Sequence, residues 1–319
     1  MSTTPTRSLQ LHMWWTAVLV LTALGGAGLA VAADRQQNPV QRPELTRAAD
    51  GRAQPWIDAL AAQLEQLHGH GTDLSTAGRA VLGQLQALDT AGANEALTAG
   101  DAAGREIDTF VAGLRDTRSQ ADAEIERWRL GPETGALLDQ LDTAIAAAPE
   151  LSTDWTALAD NARAVVNLVD GLQNHDALVF EATTAGREGG WAHALELLGW
   201  AGDALGLATA MRDHLAATTT VETLDDLIGR ARAYDEALTA LYTYLRDGGR
   251  RSGTRFEALQ AAVDQAQAAL PGDTGVLVVI VGEAAGPPIA DALVAMDEVH
   301  GTINDALLAV ADARATPAP

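Results

Sequence analysis

The stretch VLVVIV, residues 276–281, decides the fold class. Five of its six residues are β-branched, and a continuous apolar run of this length has the composition of a buried strand. A strand must pair, because an isolated one leaves its backbone N–H and C=O groups without partners. The body of the chain offers no second run to pair with it. We therefore read 276–281 as part of a deeply buried helix, which Gly286-Pro287-Pro288 ends or kinks. With that segment helical, nothing in the body asks for a sheet.

Composition points the same way. Hydrophobic residues make up 47% of the 319 positions and aromatics only 4%, so alanine and leucine carry the apolar content. Both lose little rotamer freedom in a helix. Going back from 276, apolar residues recur at three- and four-residue spacing along most of the chain. Ile57, Leu60, Leu64 and Leu67 share one helix face, and His68-Gly69-His70-Gly71 breaks that helix. Leu74, Val81, Leu85 and Leu88 form the next stripe, with Thr72 or Asp73 as its N-cap.

Ile107, Phe110 and Leu114 continue, then Ile125 and Trp128 before Gly131-Pro132. Leu138, Leu141 and Ile145 end at Pro149, and Leu158, Val165, Val169 and Leu172 follow from Ser152. Leu195, Leu198, Leu205 and Leu215 mark a long helix closed by Thr218-Thr219-Thr220. Leu224, Ile228, Leu238, Leu241 and Leu245 run to Gly248-Gly249. Phe256, Leu259, Val263 and Leu270 precede Pro271-Gly272, and Ile289 to Val310 forms the last stripe. Spacing close to 3.5 residues with short breaks describes an elongated antiparallel helical bundle or helical-hairpin array, packed in coiled-coil fashion.

Trp191-Ala192-His193-Ala194-Leu195 is echoed by Tyr234-Asp235-Glu236-Ala237-Leu238. Ala182, Gly189, Trp191, Ala194, Leu198 and Ala201 fall at spacings similar to a tetratricopeptide helix hairpin. The second copy has Arg232 in place of the glycine and Asp225 in place of a small residue. The likeness implies helix hairpins and not membership of that family.

The N-terminus carries a different signal. Residues 13–33 are 21 positions without a charge, about 31 Å as a helix and so long enough for a hydrocarbon core. Trp14 and Trp15 suit the interface at one end. Gly26-x-Gly28 begins a dinucleotide fingerprint, but Val31 stands at the third glycine position and a polar stretch follows, so nucleotide binding is excluded. Ala30-Val31-Ala32 gives a signal-peptidase pattern, yet the run exceeds an ordinary signal core, and a retained anchor is the reading adopted here. Gly26 and Ala30 would let two anchors approach, a route to a homodimer. The expected organisation is a short tail over 1–12, a transmembrane anchor or signal peptide over 13–33, a linker over 34–54, a helical extracytoplasmic domain over 55–314 with a sub-boundary near 149–152, and a tail over 315–319. Arg35, Arg42, Arg47 and Arg52 follow the span, which alone would favour a cytoplasmic body; the cleavage-like site is sensible only if the body is exported.

The net charge is −22, and all 43 acidic residues follow position 33. Such a surface repels phosphate backbones and anionic lipid heads, which excludes nucleic acid as a partner. All 21 basic residues are arginine, and cysteine is absent. No amine nucleophile, P-loop lysine, thiol or disulfide is possible. His68, His70 and Asp73 are too few to hold a metal. His175, His193, His214 and His300 stand alone, as surface or helix-end residues. No catalytic, cofactor or metal constellation emerges. Trp191, Trp200 and Tyr234 are the residues that could line a groove for a ligand or protein partner. The expected role is a membrane-anchored interaction or scaffold module without catalysis; the alternatives are a ligand-sensing bundle acting through a partner, or a secreted protein after cleavage.

The anchor is tested by fractionation and intact mass. Full-length protein is expected with the membranes, and a soluble product beginning at Ala33 would overturn the retained anchor.

Overall fold

A computed structural model of the chain describes residues 43–272 and 275–315. The tail, the anchor or signal segment and residues 34–42 of the linker lie outside the described residues, as do 316–319. Among the described residues there are seven α-helices, one 3-10 turn and no strand. Residues 276–281 are helical, inside the last of these elements, but they are not deeply buried as the sequence suggested: only Ile280 and Val281 face the core, while Val278 and Val279 are exposed.

The helices are α1 (Pro43–Gln86), α2 (Thr90–Glu124), α3 (Pro132–Arg187), α4 (Trp191–Leu215), α5 (Glu222–Arg246), α6 (Thr254–Ala269) and α7 (Gly275–Ala315). Cross-helix contacts give their directions. Gln63 bonds Thr117 and Trp56 bonds Glu124, so α2 runs back along α1. Arg118 pairs with Asp142 and Trp155 with Asp101, which sets α3 antiparallel to α2. Arg79 meets Asp297 and Arg314 meets Asp58, so α7 runs down α1. These four helices form a bundle whose interior holds Ile57, Leu60, Leu64 and Leu67, all fully buried.

Helix α3 has 56 residues and is about 84 Å long at 1.5 Å per residue. Its C-terminal half leaves the first bundle and supports a second. There α4 returns along it, with Gly171 against Ala204 and Ala208. Helix α5 runs back along α4, tied by Arg212 to Asp225, and α6 runs back along α5, where Arg230 donates to the Ala269 carbonyl. The turn between α3 and α4 uses Gly189 at φ 86°, and the turn after α5 uses Gly248 at φ 88°. Both lie in the left-handed region that glycine enters without steric cost.

Several breaks expected from the sequence are absent. Residues 43–54 are helix, since Ala49 and Ala53 bury themselves in the core. Pro55 sits on an exposed face of α1, where the unpaired Gly51 carbonyl meets solvent. His68-Gly69-His70-Gly71 does not interrupt α1. Gly71 instead admits a neighbour: a Cβ there would lie 2.0 Å from His300 Nε2. α3 passes through Pro149 between fully buried Ala148 and Leu151. α7 passes through Pro287 and Pro288. Conversely, a turn at Ala87-Leu88-Asp89 separates α1 from α2, with Leu88 at φ 57° and the Asp89 carboxylate capping Gly92 N–H at 2.9 Å.

α7 contains an 18-residue window of mean hydropathy 1.6, long and apolar enough to cross a membrane, and only a third of that window is buried. Val279 and Val294 on it are 50% and 58% exposed.

Close approach also fixes α2 to α3. A Cβ on Gly100 would lie 2.0 Å from the Trp155 ring, whose Nε1 donates to Asp101 at 3.0 Å. Gly100→Leu is expected to lower stability by about 2 kcal/mol through overpacking, read from the midpoint of urea unfolding. An unchanged midpoint would show that the ring has room to move.

Candidate functional site

Two apolar clusters fill the interior, and they do not merge. The first reaches Leu172 on α3 and Ala231 on α5. The second begins at Val179 on α3 and Tyr234 on α5. Between them lie two buried ionisable groups, His175 at 3% exposure and Asp235 at 9%. His175 Nε2 is 2.9 Å from Asp235 and Nδ1 is 3.0 Å from Asp176. Burial alone would pull the imidazole pKa down. The hydrogen bonds to Asp176 and Asp235 and their negative charges outweigh it, and hold His175 up to about 9. The second carboxylate oxygen of Asp235 is buried without a hydrogen-bond partner.

Two hollows touch this pair and a third adjoins one of them. A cavity of about 450 Å³ between α3, α5 and the ends of α6 and α7 has His175 in its wall. A second of about 340 Å³ shares Thr183, Arg187, Tyr234 and Gln267 with it, so the two adjoin. On the other side of Asp235, a groove of about 950 Å³ runs along α5 between α4 and α6. Its α4 wall includes Gly202 and Gly206, which leave bare backbone there.

The structure separates the aromatics singled out in the sequence. Trp191 is half-buried against the second cluster, with the Arg251 guanidinium 5.2 Å from its ring centroid. Tyr234 is in that same cluster at 7% exposure and lines both smaller cavities. Trp200 lies nine positions after Trp191, half a turn out of phase at 3.6 residues per turn, and is 48% exposed.

His68 and His70 also diverge. His68 faces His300 of α7 and His70 faces Phe110 of α2, each with centroids 5.1 Å apart. Among the described residues no group of three His, Asp or Glu is placed to hold a metal. His193 and His214 are exposed helix residues, whereas His175 and His300 are not surface groups as the sequence suggested. Burial, then the neighbouring His68, lowers the His300 pKa. His175 was detectable in principle, because it continues the three-four spacing of Leu168, Leu172, Val179 and Ala182. The other signal missed was Arg246 to Arg255, four arginines within ten residues of an acidic chain.

No protein-family model matches the chain, and neither a curated protein nor a solved structure shows significant similarity to it.

A His175 pKa raised from 6.5 to about 9 stabilises the fold fully below pH 6.5, and the contribution is lost as pH rises through 9. Asp235→Asn is expected to cost about 1–3 kcal/mol near pH 6 and to flatten this decline, read by urea unfolding at several pH values. Equal pH slopes in both proteins would show that the pair is not charged.

Proposed function

We propose that the protein is a binding module without chemistry of its own. Residues 13–33 hold it at the cell envelope with its body outside the cytoplasm, and it takes a small ligand in the cavities beside α5. The observation that carries this reading is the pair of adjoining cavities of about 450 and 340 Å³, a size suited to small organic molecules. Apolar walls there meet a few convergent polar groups, and buried ionisable residues stand alongside, the combination that marks binding sites. Nothing beside His175 resembles a nucleophile with its base, which supports binding over catalysis. Any signal from the occupied site would pass to a partner protein.

The exposed apolar residues of α7, Val278, Val279 and Val294, favour a second reading. In it α7 docks another protein and the bundle acts as a scaffold.

A thermal-shift screen of small organic molecules on the full-length protein distinguishes these. A ligand at a hundred times its Kd adds about 2.7 kcal/mol, and Thr183→Trp, which places an indole where the cavities adjoin, is expected to abolish that gain. If no compound raises the Tm, or if Thr183→Trp responds as the wild type does, ligand binding in these cavities is wrong. The scaffold reading would then be pursued with Val279→Glu.

A further inference from the structure

The groups around the smaller cavity indicate which ligand class the site accepts. Arg187, near the end of α3, lines both adjoining cavities. Arg251, in the loop after α5, lines the smaller one and is positioned by stacking on Trp191. Acidic residues outnumber arginines 43 to 21 in this chain. Even so, neither arginine has a carboxylate within ion-pair distance among the described residues.

Two tyrosines complete the wall. Tyr234 and Tyr242 are 7% and 6% exposed, and neither hydroxyl has a hydrogen-bond partner among the described residues. The rings are buried but the hydroxyl oxygens are not sealed in, so both are donors left open to the cavity that they line. Tyr242 is pressed to this place by close packing, since a Cβ on Gly186 would lie 2.4 Å from its ring. Asp264 is the carboxylate lining this cavity, and the Gln260 amide donates to it at 3.0 Å. Two guanidinium groups and two hydroxyl donors set against one carboxylate favour an anion of single charge.

The adjoining cavity is different in kind, lined by Leu172, Val179, Leu227 and Leu277. The charge of His175 in its wall is already matched by Asp235 and Asp176, so the imidazole does not call for a further anion. A ligand filling both spaces has a charged head and an apolar body.

We propose that the adjoining cavities bind an amphipathic carboxylate, with its head at Arg187, Arg251, Tyr234 and Tyr242 and its body against Val179 and Leu277. This rests on the ligand-binding reading above and names the ligand class. Arginine forks match carboxylate geometry, and the tyrosine hydroxyls gain an acceptor that the protein does not supply.

Three probes with one body and different heads test it: 4-phenylbutyrate, 4-phenylbutanol and 4-phenylbutylammonium. Each is titrated calorimetrically into the full-length protein in nanodiscs, with empty nanodiscs as the blank. The carboxylate is expected to bind about tenfold tighter than the alcohol, and the ammonium weakest. Arg187→Gln, an exposed position that should fold normally, is expected to erase the preference for the carboxylate while alcohol binding persists. Arg251→Gln should weaken the preference, and Tyr242→Phe should reduce it less. Equal affinity for carboxylate and alcohol, or an unchanged preference in Arg187→Gln, would overturn the anionic class. If Thr183→Trp still abolished binding of the alcohol, the cavity reading would survive that result. Failure of all three probes to bind would also overturn the proposal, leaving the broader reading to its own screen.

Discussion

The contact between His175 and Asp235 sets the geometry on which the second bundle depends. On α3, Leu158, Asn161, Val165, Leu168, Leu172, His175, Val179 and Ala182 alternate spacings of three and four, and all are buried. On α5, Leu224, Ile228, Ala231, Asp235, Leu238, Tyr242 and Leu245 do the same. His175 and Asp235 thus occupy core positions in two heptad-like repeats, at the level where each helix passes from one apolar cluster to the other. Charged groups inside are costly unless they meet, and only one longitudinal placement of α5 lets them meet. The close fit of Tyr242 against Gly186 agrees with that placement, which also sets Tyr234 beside Arg187.

The same constraint explains why the interior is hollow beside α5. The two clusters pack tightly within themselves but are separated by a polar level. α6 has 16 residues and packs chiefly on α5, so its end and the start of α7 only partly cover the last turns of α3. What is left uncovered between them is the adjoining pair of cavities. Tight packing elsewhere uses glycine differently. Gly71 receives His300, Gly100 receives Trp155 and Gly186 receives Tyr242, each removing a Cβ where a ring would otherwise strike the helix. These are helical glycines whose role is close approach, and their conformational freedom is incidental.

That use of glycine shows how much of the fold could be read in advance. The apolar stripes were legible because a 3.6-residue period records which face is buried, as at Ile57, Leu60, Leu64 and Leu67. The end at Gly248-Gly249 was legible too, whereas Gly131-Pro132 marks the start of α3, and the helix before it already stops at Glu124, ahead of Ile125 and Trp128. Pro55, Pro149, Gly69-His70-Gly71 and Gly286-Pro287-Pro288 misled, because local propensity favours a break there while flanking buried residues hold the helix together. Nothing in a single sequence tells a glycine that ends a helix from one that admits a ring. The site was less legible than the fold. Trp191 and Tyr234 do share a cluster, but Trp200 is on another face, and His175 looked isolated because its partner is 60 residues away.

The cations near the cavities divide into two kinds, and the difference follows from burial. His175 is enclosed, and an enclosed imidazolium persists only with carboxylates against it. Asp235 and Asp176 fill that role, so the charge fixes structure and has little field left for a ligand. Arg187 and Arg251 sit where solvent still reaches, and a guanidinium in that setting stays charged without a partner. Neither is held in an ion pair, and together they outnumber Asp264, the carboxylate in the wall of the same cavity. A ligand of the proposed class would meet a charged level that sets the shape of the chamber, and separate arginines outside any ion pair that would bind its head.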